Sequence, residues 1–217
     1  MCGFLCTLGI LCIIKAINIG ELSVIGPINS YKSVIGLITS FFLLKEIPSL
    51  LGLLGIFLII WGSKFIFQSS KEGFSFKLFK RKDIQYRFLA LLLTGIEAAF
   101  LKQIILMSSV QAGFILWCFM GAFWSVIFIL ITKKKFILAR KSQFIQTIFI
   151  ALCLGLMQYS TNFVFEKMNV GYALALFQLS SLVTVFLGYE IFKEQNLKEK
   201  IIGTCIMIVG SCFILLH

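Results

Sequence analysis

Two ionisable side chains stand deep inside long apolar stretches of this chain, where a charge is costly and its presence is informative. Lys32 lies ten residues into the block that begins at Leu22, or about 15 Å along a helix that rises 1.5 Å per residue. Its neighbours Asn29, Ser30, Tyr31 and Ser33 make this the most polar run within any apolar block. Glu97 stands about as deep in a later block, with Lys102 and Gln103 following it. A charged group at the centre of a hydrocarbon layer costs about 2.5–3.5 kcal/mol on insertion scales, so such residues are retained for a reason. One reading has Lys32 and Glu97 facing a central cavity, paired with each other and touching a charged or zwitterionic solute, with Glu97 a candidate proton carrier. The other has Lys32–Glu97 as a fixed clamp between helices, and Lys102 snorkelling toward the outer interface.

Two further polar patches interrupt apolar blocks. One comprises Gln158, Tyr159, Thr161 and Asn162; the other comprises Gln178, Ser180, Ser181 and Thr184. Gln178 and Ser181, three apart, share a helix face. These patches either line the same cavity or hydrogen-bond between helices, a contact worth only about 0.6 kcal/mol on average in membranes. The candidate solute-binding set is therefore Asn29, Tyr31, Lys32, Ser33, Glu97, Gln158, Asn162, Gln178 and Ser181. Glu46 and Glu194 sit at helix ends, where a structural role is the simpler reading. The three tryptophans, Trp61, Trp117 and Trp124, read as interface or packing aromatics.

Other chemistries find few parts. The seven cysteines all lie inside apolar blocks and form no CxxC or Cys/His spacing, so they read as small packing residues. The single histidine is His217 and the single aspartate is Asp83, placed in a loop. No catalytic residue, metal site or cofactor is expected, and the chain is not read as an enzyme. The formal net charge of +11 sits in short runs between apolar blocks, which suits anionic headgroups rather than nucleic acid.

The elements that must position these side chains follow from composition and length. The chain is 59% hydrophobic and 13% charged, against about 25% charged in ordinary globular domains. Eight apolar segments run over about 2–19, 22–44, 49–67, 86–107, 112–132, 144–165, 170–192 and 200–216. Most approach the roughly 20 residues needed to cross a bilayer. Without water to satisfy the backbone, they should be helices, giving an all-α integral membrane fold with eight transmembrane helices. Sixteen lysines and arginines fall in loops on one face, around Lys15, 64–87, 133–141 and 193–200, and only Lys45 and Lys167 on the other. The positive-inside rule puts the first face in the cytoplasm of a plasma-membrane protein, and the carboxyl terminus outside.

An internal repeat organises the helices. At an offset of 148 residues, Lys45-Glu46 matches Lys193-Glu194, Gly55 matches Gly203, Gly62-Ser63 matches Gly210-Ser211, and Phe65 matches Phe213. Ser33 also falls on Ser181, and Asn18-x-Gly20 matches Asn169-x-Gly171 at an offset of 151. Five segments separate matching points, an odd number, so the copies lie inverted in the membrane. Inverted repeats are common in secondary transporters, which hold their solute near the midplane between the halves.

The stretch from Gly20 to Lys64, with Pro27, Glu46, Gly52, Gly55 and Gly62 at its marked points, resembles the end of an EamA-type domain of the drug/metabolite transporter superfamily. The second copy keeps the glutamate and glycines but has Ala175 opposite Pro27. The resemblance implies an EamA-like bundle made of the last three helices of a first repeat (1–67), a basic linker (68–85) and a complete second repeat (86–217). It also implies a secondary transporter moving a small polar metabolite or drug-like solute by alternating access. Such transporters usually have ten helices and cytoplasmic termini, so the resemblance differs here in helix number and orientation. The partners expected are a small-molecule solute and the lipid bilayer, with a homo-oligomer or a partner chain if the chain is shortened. A non-transporting membrane partner and an integral-membrane enzyme are the alternatives.

Overall fold

The computed structural model describes residues 1–19, 31–68, 81–132, 141–180, 183 and 197–215. Among these residues the protein is helical throughout: α1 (Cys2–Ile19), α2 (Lys32–Leu44), α3 (Leu50–Gln68), α4 (Lys82–Met107), α5 (Val110–Thr132), α6 (Lys141–Lys167), α7 (Val170–Leu176) and α8 (Leu197–Leu215). A 3-10 turn, Phe177–Leu179, tightens the end of α7. Four helices, α1, α4, α5 and α6, are long and apolar enough to cross a membrane. The 23 residues of α5 extend about 35 Å.

Burial separates interior helices from peripheral ones. Over half of the apolar window of α4 is buried, against none of that of α5. The outer faces of α5 and α6 carry Phe119, Phe123, Leu130, Phe149, Leu152 and Leu156, all well exposed. A face like that would aggregate in water but is stable against lipid tails. α4 is the central element, packed by α1 and α2 and touching α5, α6 and α7. Its buried stripe includes Ala90, Leu91, Ala98, Leu101 and Ile105, broken by Thr94, Glu97 and Lys102.

Three turns meet at one end of the bundle, and each is set by local chemistry. α2 stops at Lys45, which adopts a left-handed conformation (φ 55°, ψ 32°) and returns its N–H to the Ser40 carbonyl. Such a conformation costs about 1–2 kcal/mol for a residue with a Cβ, and Pro48, two residues after Glu46, prevents the helix from resuming. Ser49 then caps α3 by accepting the Gly52 N–H at 3.0 Å. Ser109 caps α5 through the Ala112 N–H at 3.1 Å, and Asn169 caps α7 through the Gly171 N–H at 2.9 Å. These side chains satisfy N–H groups that a helix start leaves open.

α3 and α8 form the most extensive helix pair. They cross at glycines: a Cβ added at Gly55 would lie 2.6 Å from the Gly210 carbonyl oxygen, and one at Gly62 would lie 2.5 Å from the Gly203 carbonyl oxygen. Backbone approach this close requires residues without a side chain.

Several sequence expectations shift in detail. α4 begins at Lys82, so Asp83 and Arg87 belong to a helix rather than a loop. The seventh apolar block is α-helical from Val170 to Leu176 before it tightens. Asn29, Ser181, Pro27, Ser30, Thr184, Lys193, Glu194, most of the basic linker and the Lys133–Lys135 run lie outside the described residues, as does the side chain of Gln178.

Candidate functional site

Two carboxylates, one buried and one partly buried, organise the polar interior. The first is Glu97, midway along α4 and 7% exposed. Its Oε1 accepts hydrogen bonds from the Trp117 indole N–H of α5 at 3.1 Å and from the Cys2 thiol of α1 at 3.3 Å. No described residue donates to its Oε2. Lys32, the first residue of α2, lies within electrostatic range of Glu97, Cys6 and Arg87, yet it makes no ion pair. Among the described residues the ion pairs are Arg81–Asp83 and Lys102–Glu46. The offset has a structural cause. Ile35 packs against Gly95 and Tyr31 lies against Phe88, 6.3 Å between ring centres. Lys32 therefore enters α4 about a turn and a half short of Glu97.

The second carboxylate is Glu46, at the turn between α2 and α3. It forms an ion pair with Lys102 of α4, and its Oε2 accepts the Val170 N–H of α7 at 3.2 Å. Lys102 also donates to the Met168 carbonyl at 2.8 Å, between α6 and α7. Beside this joint, the Tyr172 hydroxyl accepts the Ser49 N–H at 2.7 Å. Lys102 is 5% exposed, so it does not snorkel outward; it points inward to a counter-ion.

The remaining candidates separate. Ser33 is fully buried on α2 and Tyr31 is partly exposed beside Phe88. Asn162 is fully buried on α6, where its amide is bonded to Gln158, one turn back, at 3.0 Å. It also reaches the first turn of α5, at the Val110 carbonyl or the Phe114 N–H depending on which way the amide faces. Gly113 and Ile105 sit beside Asn162, two turns beyond Glu97 along α4. The structure thus brings Lys32 and Glu97 into one neighbourhood with Tyr31 and Ser33 on the same helix. It places Gln158 and Asn162 in a separate hydrogen-bonded joint between α5 and α6.

Sequence reasoning missed Cys2, Trp117, Arg87 and the Glu46–Lys102 joint. An indole N–H in an otherwise apolar helix needs an acceptor, and that rule is the signal by which Trp117 could have been found. Nothing in the spacing pointed to Cys2, 95 residues from Glu97. Among the described residues no group of histidine, cysteine, aspartate and glutamate side chains could hold a metal ion.

A model of the EamA-like transporter family matches residues 82–216, from the start of α4 through α8. A search of curated proteins found no match.

Proposed function

Because the chain belongs to the EamA-like transporter family, and so is a multi-pass membrane transporter, we propose that it is a secondary carrier. It moves a small polar solute by alternating access around the Lys32–Glu97 neighbourhood. The observation that carries this reading is the crossing of α3 and α8. Gly55 meets Gly210 while Gly62 meets Gly203, and at the offset of 148 residues Gly55 is the counterpart of Gly203 and Gly62 of Gly210. Each glycine of α3 thus touches the counterpart of the other. A two-fold axis running between two helices produces this reciprocal pattern, and here it supports an inverted pair of repeats, 1–67 and 86–217, joined by the linker 68–85. Such pairs alternate by rocking one repeat against the other.

The polar interior suits that motion. Lys32 belongs to the first repeat and Glu97 to the second, so a solute held between them senses their relative position. The Glu46–Lys102 joint ties the turn after α2 to α4 and to the α6–α7 turn. In this conformation it fastens the end of the bundle that has few basic residues. That end is the outer one on the positive-inside reading, which has the basic loops in the cytoplasm, and the proposed membrane is the plasma membrane.

Reconstitution into liposomes with a panel of labelled metabolites tests the reading. Uptake of one solute class by the wild type, with loss of at least tenfold in Lys32→Ala and Glu97→Gln, is the expected result. A solute carried equally well by both variants would remove this neighbourhood from the transport path.

A further inference from the structure

The basic end of the bundle carries a recess of about 310 Å³, walled by Lys82, Gln85, Tyr86 and Leu89 of α4. Their spacing of three and four residues puts all four on one helix face. That face turns outward: Lys82, Gln85 and Leu89 are exposed, as is Leu92 beyond them, while Asp83 and Ile84 are buried. Asp83, the acid of this turn, is bound to Arg81 and does not wall the recess. A second helix brings another cation. α1 and α4 run antiparallel, with Cys2 on Glu97, Gly9 beside Thr94 and Lys15 over Tyr86. The Lys15 ammonium stands 5.3 Å from the centre of the Tyr86 ring, a cation–π distance. Lys15 is exposed and sits on a wall of the recess. Among the described residues neither Lys15 nor Lys82 forms an ion pair.

The polarity of this face changes along its length. From Lys82 to Leu92 the helix rises about 15 Å, passing from an ammonium through an amide and a phenol to bare leucine. A soluble phosphate would use only the start of that track, whereas an amphiphile uses all of it. On the positive-inside reading this end lies in the cytoplasmic leaflet, where anionic lipids attract lysine and arginine beside a membrane helix. We propose that the recess binds the phosphate headgroup of an anionic phospholipid. Lys82 and Lys15 supply the charge, Gln85 a hydrogen bond, and Leu89 and Leu92 the bed of one acyl chain. Tyr86, an apolar ring with a polar tip, suits the boundary between headgroup and chain. A lipid seated there bridges α1 and α4, at the end of the bundle opposite the Glu46–Lys102 joint. The site does not depend on which solute is carried.

The test uses the purified full-length chain in detergent and reads thermal stabilisation by phosphatidylglycerol, phosphatidylcholine and glycerol 3-phosphate. Phosphatidylglycerol should stabilise the wild type at lower concentration than phosphatidylcholine, and glycerol 3-phosphate should not match it. Lys15→Gln combined with Lys82→Gln should weaken the apparent affinity for phosphatidylglycerol about tenfold or more. Lys15→Arg combined with Lys82→Arg keeps the charge, controls for misfolding and should retain the affinity. Lys64→Gln combined with Lys141→Gln removes the same charge from the same face of the membrane and should change the affinity less than about twofold. Leu89→Asn should weaken the lipid by disturbing the bed of its chain. Equal stabilisation by the two lipids would overturn the proposal, as would equal loss in the two neutralised pairs. Stabilisation by glycerol 3-phosphate as strong as by phosphatidylglycerol would assign the recess to a soluble phosphate and overturn it too.

Discussion

Glu97 is buried in the bundle and Glu46 partly buried at its end, and the two carboxylates are held in opposite ways. Glu46 commits both oxygens: one to the Lys102 ammonium, the other to the Val170 N–H. Glu97 receives two neutral donors on a single oxygen, and its nearest cation stands off without an ion pair. A carboxylate with both oxygens engaged, one of them by a cation, is a joint, and breaking it leaves an uncompensated charge. A carboxylate with one oxygen unanswered retains capacity for a proton or a solute. The comparison teaches that depth in the membrane does not identify a site; unspent bonding capacity does.

The largest effect expected from this contrast is at the joint. Lys102→Met leaves the partly buried Glu46 without its cation and should cost about 1.5–3 kcal/mol, read as a fall in thermal midpoint of the detergent-solubilised chain. Adding Glu46→Gln should recover most of that loss, because no charge is then stranded. A double variant as unstable as the single one would remove the ion pair as the cause. Next in size, Lys102→Met should speed amide exchange in segments 46–52 and 168–173 while leaving α5 unchanged; equal exchange throughout would contradict a local joint. Tyr172→Phe, which deletes the acceptor of the Ser49 N–H, should cost about 1 kcal/mol. Smallest of all, Glu97→Gln should alter stability by less than about 1 kcal/mol, since its donors are neutral, while abolishing transport. A stability loss there as large as at Lys102 would erase the distinction between joint and site.

Much of the frame was legible in the sequence because it depends on local pattern. Apolar length gave α1, α4, α5 and α6, and the glycines at 55, 62, 203 and 210 were picked out by their repeat. Lys32 and Glu97 were also legible, since a charge within an apolar block is visible without knowing the fold. Their relation was not. Whether Lys32 touches Glu97 depends on how far α2 slides along α4, which is fixed by Ile35 on Gly95 and Tyr31 on Phe88. Lys102 was misread for the same reason: its partner, Glu46, lies 56 positions away, and only the meeting of three turns brings them together. Arg87, at the very edge of the apolar block that begins at Tyr86, counts as a loop cation on charge pattern alone, whereas α4 starts at Lys82 and places it in the second turn. An error of one turn there converts a partly buried helix guanidinium into an apparent loop charge.

The glycine crossing of α3 and α8 has a genetic consequence. At Gly55 and Gly62 an added methyl group would strike a carbonyl oxygen of the facing helix, an atom that every amino acid carries. No substitution at Gly210 or Gly203 removes that obstacle, so a lesion at Gly55 or Gly62 has no compensating partner across the contact. Suppressors of Gly55→Ala should therefore arise elsewhere, at residues that let the two helices move apart. A suppressor screen that returned changes at Gly210 would show that the helices do not meet backbone to backbone.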